Sequence, residues 1–412
     1  MKFVRNWGRL DMKFDIWSFE KKPLPEILSF IVDNRGKTVP TTQGGHILIA
    51  TNCVRNESLY PSYEKIRYLS EETYQNWFRA HPKPGDILFV CKGTPGRVCM
   101  VPDPIDFCIA QDMVALRVND AIVYNKYLLS VLRSIKMQKQ IEQTSVGDVI
   151  PHFKKSFFDQ LLIPIPSMEI QKIIGDYYFA FSEKIEINKK INNNLEQQME
   201  ALFRSLFIEN ANSTWQEGVL SDLGTIVAGG TPSKAKPEYY AEHGIAWITP
   251  KDLSLNKSKF ISHGENDISE LGFSKSSATK MPAGTVLFSS RAPIGYIAIA
   301  ANELTTNQGF KSVVPNENIG TAFMYFLLKW LLPTIERMAS GSTFKEISGT
   351  GMKSVPVVIP DDKTIEQFND FCNPIFLKQE ILEAENIRLS NIRDTLLPKL
   401  MSGELDVSDI DL

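Results

Sequence analysis

The stretch GDILFVCKGTPGRVCM, from Gly85 to Met100, returns in outline as GTVLFSSRAPIGYIAI, from Gly284 to Ile299. Both begin with glycine, a residue with a hydrogen-bond acceptor, two aliphatic residues and phenylalanine. A cation follows three residues later, Lys92 in the first copy and Arg291 in the second. Each position of one stretch lies 199 residues from its match in the other. Such internal repetition predicts one structural unit written twice in the chain.

The correspondence extends well beyond these two stretches. Each half has, in order, a short helical turn with a strand, a β-rich run, the paired stretch, another strand, a helix, a glycine loop and a β run ending in proline. The helices are predicted over 124–143 and 321–338, and the β runs end at Pro166 and Pro360. The other matched segments are LPEILSFIVDNRGKT with LSDLGTIVAGGTPSK, HILIATNCV with IAWITPKDL, CIAQDMVALRV with TTNQGFKSVVP, SVGDVIPHF with SGSTFKEI, and LLIPIP with PVVIP.

After each of these prolines the apolar period changes from 2 to 3.5, which is typical of a coiled-coil helix. The two apolar seams match position by position at an offset of 194 residues. The first consists of Ile174, Tyr178, Phe181, Ile185, Asn188, Asn192, Leu195, Met199, Leu202 and Leu206. The second consists of Phe368, Cys372, Ile375, Gln379, Leu382, Asn386, Leu389, Arg393, Leu396 and Leu400.

Three asparagines in these seams bear on how the helices pair. Asparagine at an apolar seam position costs stability and fixes register, which gives Asn188, Asn192 and Asn386 that role. We predict an antiparallel pair in which Asn192 faces Asn386. Pro374 lies inside the second pattern and should kink that helix or mark its start. The alternative, amphipathic helices that each pack only on their own domain, stays open.

These patterns predict an α+β protein with a pseudo-two-fold internal repeat. Two similar β-rich globular domains are separated by two long helices that form an antiparallel coiled coil. The predicted segments are a first globular domain at 1–166, a helix at 167–210, a second globular domain at 211–360, a helix at 361–403 and an acidic tail at 404–412.

Composition indicates a globular, cytoplasmic protein. Of the 412 residues, 43% are hydrophobic and 23% charged, as in ordinary folded domains. The longest apolar run, 323–332, is too short for a membrane span and is closed by Pro333, and the N-terminus has no secretory pattern. The five cysteines form no CxxC pair, and their odd number argues against a disulfide framework.

The net charge of −3 does not settle the class of partner. Four carboxylates of the tail account for it, and the rest of the chain carries +1. A nearly neutral body can still bind DNA if its cations are gathered on loops.

No catalytic or metal-binding motif is found. The nucleotide loops, the HExxH zinc motif and the GxSxG nucleophile motif are all absent. The five histidines match no metal-ligand spacing, and none recurs in the other copy. The sequence therefore predicts a protein that is not an enzyme and needs no cofactor of its own.

Polar loops that carry cations do recur in both halves, and loops on a rigid scaffold are where binding residues concentrate. Arginine and lysine suit phosphates and guanine, and Asn52, Gln111, Asn307 and Gln308 could serve adenine. The alternative for each residue is a solvated cation or an amide that ties down a loop. The candidate DNA-binding residues are Arg35, Lys37, Arg55, Lys92, Arg97, Lys234, Lys236, Lys251, Arg291, Lys311 and Lys345.

The second half carries the most specific motifs, which include GGTPSK, GIAWITPKDL, SSRAPIGYIAIA and TNQGFKSV. With the ending IRDTLLPKLMSGELDV, they resemble the specificity subunit of type I restriction–modification systems over essentially the whole chain. The first half is the weaker match, with NRGKT in place of the GGTP loop.

The resemblance implies a non-enzymatic reader of double-stranded DNA. Each globular domain would be a target recognition domain for one half of a split, asymmetric site. The helices would space the halves and dock two methyltransferase subunits, through which endonuclease–translocase subunits join. S-adenosylmethionine, ATP and Mg²⁺ would belong to those partners. Two other classes remain open: a stand-alone DNA methyltransferase or nuclease with an unrecognised motif, and a structural adaptor that binds no DNA.

Overall fold

The computed structural model describes residues 15–34, 36, 38–147, 149–341 and 345–405. They form two compact units, each of which has a β-rich globular part and segments of two long helices. Unit 1 comprises the described parts of Met1–Ile187 and Glu385–Leu412, and unit 2 comprises those of Asn188–Ala384. Both boundaries fall inside long helices, so each unit contains part of both helices.

Unit 1 contains nine strands among its described residues, and α1 to α3 lie within it. Its strands are β1 (Lys21–Pro23), β2 (Leu28–Val32), β3 (His46–Ile49), β4 (Arg67–Leu69), β5 (Ile87–Val90), β6 (Val98–Met100), β7 (Phe107–Ile109), β8 (Met113–Val118) and β9 (Leu162–Pro164). Its helices are α1 (Glu71–Asn76), α2 (Asn125–Arg133), α3 (Ile135–Thr144), the first part of α4 (Met168–Arg204) and the last part of α10 (Asp362–Met401).

Unit 2 repeats this order, with β12 and β14 as additions. Its strands are β10 (Gln216–Val219), β11 (Gly224–Ala228), β12 (Tyr240–Ala241), β13 (Ile245–Ile248), β14 (Phe260–Ile261), β15 (Asn266–Ile268), β16 (Val286–Ser290), β17 (Ile294–Ala300), β18 (Thr305–Thr306), β19 (Lys311–Pro315) and β20 (Pro356–Ile359). Its helices are the last part of α4, α5 (Leu220–Leu223), α6 (Pro250–Leu255), α7 (Glu270–Ser274), α8 (Thr321–Met338), α9 (Gly349–Lys353) and the first part of α10 (Asp362–Met401).

Sheet topology confirms the repeat. The main sheet has the order β2-β8-β5-β6 in unit 1 and β11-β19-β16-β17 in unit 2, where β14 extends its edge. The second sheet has the order β4-β3-β7 in unit 1, and β15-β13-β18 with β12 at the edge in unit 2. In both second sheets the central strand has one antiparallel and one parallel neighbour. A two-stranded ribbon completes each unit, β1 with β9 and β10 with β20.

The main sheet of unit 1 is buried on both faces, which explains its nearly continuous apolar strands. Along β5, Ile87 and Phe89 pack with the helices, whereas Leu88 and Val90 pack toward the second sheet. Side chains of a strand alternate between faces, so β5 and β6, which are buried throughout, carry apolar residues at every position. The same division holds in unit 2, where β16 is buried throughout.

The glycine that opens each paired stretch is required by the backbone. Gly85 has φ +83° and Gly284 has φ +84°, a region that favours glycine. The carbonyl of each accepts a hydrogen bond from the start of the following helix, from Asn125 Nδ2 (3.2 Å) and from Thr321 Oγ1 (2.8 Å) respectively. The turn is therefore held in the same way in both units.

The long helices follow the predicted seams. All twenty seam positions are buried or half-buried. Within unit 1, Ser182 accepts a hydrogen bond from Arg393 (3.2 Å), and Lys184 pairs with Glu385 (3.8 Å). Since the partner numbers fall along α10 as they rise along α4, the helices run antiparallel.

The predicted pairing of Asn192 with Asn386 is wrong by one heptad. In unit 2, Gln379 Nε2 donates to the backbone carbonyl of Asn192 (2.9 Å), and Asn192 Nδ2 donates to that of Gln379 (3.4 Å). A match between repeats shows that two positions are equivalent, but it does not set the register of antiparallel helices. Pro374 does not start its helix either, because α10 already begins at Asp362.

Of the two helices predicted within the globular domains, one differs from the structure and one is confirmed. The helix predicted over 124–143 is broken at Ser134, whose backbone is extended and whose Oγ accepts from the N–H of Met137 (3.3 Å). This cap ends α2 and starts α3. The helix predicted over 321–338 is confirmed, since α8 spans Thr321–Met338 and continues through Pro333. All five cysteines are buried free thiols.

Candidate nucleic-acid interface

The cation-bearing turns of the paired stretches are built alike. In unit 1 the N–H of Cys91, just before Lys92, donates to the carbonyl of Asp112 (2.7 Å). In unit 2 the N–H of Ser290, just before Arg291, donates to the carbonyl of Gly309 (2.7 Å). Both cations therefore follow a main-sheet strand, β5 or β16, whose end is hydrogen-bonded to the residues just before its neighbour in the sheet, β8 or β19.

A second loop is fastened to each of these turns. In unit 1, Val146 and His152 exchange backbone hydrogen bonds (3.0 and 2.8 Å), and His152 also bridges to Lys92. In unit 2, Ser340 and Glu346 exchange the same bonds (3.1 and 2.9 Å), and Glu346 bridges to Arg291. The loop that follows α3 in unit 1 therefore lies against Lys92, and the loop that follows α8 in unit 2 lies against Arg291.

In unit 2, the carboxylate of Glu346 pairs with two of the predicted cations. Its carboxylate lies 3.4 Å from Arg291 Nη1 and 3.8 Å from Lys311 Nζ. The side chain of Lys311 is only 11% exposed, and burial lowers the pKa of its amine. Arg291 is half-buried, and Lys345, which precedes Glu346, is exposed. Arg291 and Lys311 therefore share one carboxylate, with Arg291 the more accessible of the two.

The remaining predicted cations of unit 2 lie on other loops. Lys234 and Lys236 are exposed after β11, and Lys236 lies 5.2 Å from the ring centre of Tyr239. Lys251, at the start of α6, pairs with Glu265 at 2.5 Å, and this hydrogen bond raises the pKa of the lysine. A paired cation must give up its carboxylate before it can bind a phosphate.

In unit 1, Lys92 is exposed and Arg97 is half-buried. Arg55 forms an ion pair with Glu64, with 2.6 Å between Nη2 and Oε2. The other two predicted cations of this unit, Arg35 and Lys37, lie outside the described residues. Of the described unit 1 candidates, Lys92 is the most accessible.

The predicted amide readers divide into two groups. Asn52 donates to the carbonyl of Glu64 (2.6 Å), and Asn307 accepts from the N–H of Gly309 (2.8 Å), so both tie down loops. Gln308 is exposed and hydrogen-bonds Thr231, and Gln111 is half-buried. The loop-tying alternative therefore describes Asn52 and Asn307.

Two features of these sites escaped the sequence analysis. Val149 is 93% exposed and Ile150 is 55% exposed, within the loop fastened to Lys92. The available signal was a pair of adjacent β-branched apolar residues in a loop that begins at a glycine. The second feature is buried Lys259 in unit 2, which contacts Glu196 and lies 4.3 Å from the ring centre of Phe376. No local pattern distinguishes that lysine from a surface lysine.

Over the part of the chain that the structure describes, no three His, Cys, Asp or Glu side chains come together as a metal-ion ligand set. Within the same residues, no helix is long and apolar enough to cross a membrane.

The family model and the relatives described below name the same protein family. The family model of the type I restriction modification DNA specificity domain matches twice, over residues 19–197 and 212–389. The MjaIX specificity subunit of Methanocaldococcus jannaschii is 35% identical over 199 residues, so the chain spans about half the length of this relative (46% of each). The HindI specificity subunit of Haemophilus influenzae is 25% identical over 403 residues, with 78% of this chain and 87% of that one covered.

Among solved structures, the S subunit of a type I restriction–modification system from M. genitalium is similar over 97% of this chain and 98% of that one. The TM-score is 0.60 at 18% identity, a likeness that concerns the fold.

Proposed function

Because the chain belongs to the type I restriction–modification DNA specificity family, we propose that it is the DNA-recognition subunit of such a complex. Each unit reads one half of a split, asymmetric site through its globular part. The chain itself catalyses no reaction, and methylation and ATP-dependent cleavage belong to its partner subunits. We propose that it acts in the cytoplasm.

The observation that carries this proposal is the matched placement of Lys92 and Arg291. The two units share strand order and loop fastening, yet the surrounding residues differ, with His152 beside one cation and Glu346 beside the other. A shared scaffold with different loop residues is suited to reading two different half-sites. Cations on such loops supply phosphate contacts, and neighbouring side chains discriminate bases.

We assign residues 1–166 and 211–360 to the two target recognition domains, and residues 167–210 and 361–403 to the helices that space them. The tail is 404–412. The helix segments of both units support partner docking. Ile187 is 47% exposed on α4 and Ile381 is 52% exposed on α10, and these residues occupy equivalent positions 194 residues apart. Exposed apolar side chains at matched positions are suited to two copies of one partner.

We therefore propose that two methyltransferase subunits bind the helices and that endonuclease–translocase subunits join through them. S-adenosylmethionine, ATP and Mg²⁺ are then bound by those subunits. Ile187→Glu and Ile381→Glu should each weaken methyltransferase binding without unfolding the chain, because both side chains already face solvent.

The test is to reconstitute the full chain with its methyltransferase subunit and to map the methylated motif by sequencing. The expected motif is asymmetric and split, with a fixed spacer. Arg291→Glu should abolish DNA binding or relax one half of the motif only. Methylation without sequence preference, or DNA retention that is the same with and without this chain, would favour the adaptor class. Methylation by the isolated chain would favour the enzyme class.

A further inference from the structure

The loop between α3 and β9 in unit 1 exposes apolar side chains. Val149 is 93% exposed, Ile150 is 55% exposed and Val146 is 41% exposed. Single exposed apolar residues are common, but Val149 and Ile150 are adjacent and lie beside a predicted DNA-binding cation. Leaving two adjacent aliphatic side chains in water forgoes the stabilisation that their burial would give.

The backbone of this loop is held firmly. Besides the two bonds between Val146 and His152, the N–H of Gly93 donates to the carbonyl of Pro151 (2.9 Å). The N–H of Phe153 donates to the carbonyl of Cys91 (2.7 Å), and the Phe153 side chain is fully buried. The exposed pair is therefore presented on an anchored support.

The lysines near Val149 and Ile150 favour a polyanion as the partner of this exposed pair. Lys92 and Lys154 are exposed, and neither forms an ion pair with a carboxylate of the described residues. Lys155 is also exposed and lies 3.3 Å from Asp33. The carboxylate of the loop itself, Asp148, lies outside the described residues. Apolar side chains near exposed lysines that form no ion pair within the described residues suit a DNA groove better than an apolar protein surface.

The equivalent loop of unit 2 is fastened in the same way but carries a different tip. Ser340 and Glu346 close it, the N–H of Ile347 donates to the carbonyl of Ser290 (3.1 Å), and Gly341 has φ +129° where Gly147 has φ +99°. At the 194-residue offset, the sequence has Thr343 and Phe344 as the counterparts of Val149 and Ile150, and these two residues lie outside the described part of the chain. A constant support with a variable tip is what a specificity-determining loop requires.

We propose that Val149 and Ile150 are specificity-determining residues that contact the C5-methyl group of a thymine in the half-site read by unit 1. This inference rests on the proposed DNA-recognition function. Neither side chain can donate or accept a hydrogen bond. The thymine methyl is the apolar group that base edges present in the major groove, and it marks one strand of each A·T pair.

The experiment uses the full chain reconstituted with its methyltransferase subunit and a DNA library randomised over the half-site of unit 1. The wild-type complex should select an A·T pair at one or two adjacent positions. The doubly substituted variant Val149→Ser with Ile150→Ser should lose that preference by about five- to twentyfold, the cost of one weakened base contact. The half-site of unit 2 and the salt dependence of binding should be unchanged.

A chemical substitution in the DNA then isolates the methyl group. Replacing the selected thymine by deoxyuridine, which lacks the methyl, should weaken wild-type binding by a similar factor and should not weaken the variant further. Leu162→Ser is the matched control, because Leu162 is an exposed aliphatic residue of unit 1 (42%) on β9. Its selected motif should equal that of wild type.

An unchanged motif in the double variant, or an equal loss of affinity for all sequences, overturns the proposal. A shift confined to G·C positions overturns it as well. Sensitivity to the protein substitutions with no effect of deoxyuridine would indicate a side chain wedged between base steps, and it would also overturn the methyl contact. If the wild-type complex selects no motif at all, it is the proposed function that fails.

Discussion

Gln379 on α10 hydrogen-bonds the backbone of Asn192 on α4, and its side-chain carbonyl also accepts from the ammonium group of buried Lys259 (2.6 Å). One amide thus joins both long helices to the segment before β14 in unit 2. The globular part of this unit is connected to its helices through a polar cluster as well as through apolar packing. Unit 1 has a related connection, since Glu186 on α4 accepts from the N–H of Leu59 (3.2 Å).

Gln379→Leu should destabilise the chain by about 1–3 kcal/mol, because Lys259 loses an acceptor and the carbonyl of Asn192 loses a donor. Asn192→Leu should cost less than about 1 kcal/mol, because the hydrogen bond that its side chain donates is long (3.4 Å). Urea denaturation of the full-length variants measures both. Equal costs for the two substitutions would show that the amide of Gln379 has no special role.

Glu196→Gln should cost about 2–4 kcal/mol, because it leaves Lys259, whose side chain is 8% exposed, without its countercharge. The matched control is Glu200→Gln. Glu200 is half exposed and lies 3.4 Å from Lys329, so its replacement should change the free energy of unfolding by about 0.5 kcal/mol or less. Denaturant unfolding at neutral pH compares the two, and similar costs would contradict the assignment.

The free energy of unfolding at acidic pH should depend on the same cluster around Glu196. Burial alone would raise the pKa of Glu196, but the ammonium groups of Lys259 and Lys329 lower it below its ordinary value of 4.5. Since the folded pKa is the lower one, this stabilisation is complete above pH 4.5 and is lost as the pH falls through the folded value. Unfolding curves measured from pH 6 to pH 3 should therefore fall more steeply for wild type than for Glu196→Gln. Parallel curves would mean that Glu196 keeps an ordinary pKa.

Leu397→Ala should cost about 2–4 kcal/mol and should destabilise unit 1, although the residue lies near the end of the chain. Leu397 is 5% exposed and packs in the unit 1 core with Met401 and Tyr178. Hydrogen exchange should accelerate in β5 and β8 more than in β16 and β19. Leu377→Ala, at a position that is 59% exposed, is the control and should leave both units protected.

Glu346→Gln should strengthen DNA binding by the reconstituted complex, by about three- to tenfold at low salt, since it frees Arg291 and removes a negative charge facing phosphate. Glu303→Gln makes the same charge change at a carboxylate that pairs with Lys280 (3.2 Å), outside the candidate set, and should have a smaller effect. Fluorescence anisotropy over a salt series compares the variants. Weaker binding by Glu346→Gln would mean that this carboxylate positions Arg291 for the DNA.

Much of the fold follows from the sequence, because periodicity and turn chemistry are local properties. The 199-residue spacing predicted two units of equal topology, and β5 with β16 and β8 with β19 form as matched strands. The seam positions predicted which faces of α4 and α10 are buried. Gly85 and Gly284 marked two turns of equal geometry, because few other residues adopt a positive φ without strain.

The tertiary structure alone decided which side chains meet. Lys311 and Lys259 read as surface lysines in the sequence, yet one is nearly buried beside Glu346 and the other contacts Glu196. Asn192 meets Gln379, and its own counterpart Asn386 lies one heptad further along α10. Seam spacing sets which face of a helix is apolar, whereas the register of an antiparallel pair depends on contacts between residues far apart in sequence. The local pattern therefore determined the elements, and long-range packing determined the partners of their charged and amide groups.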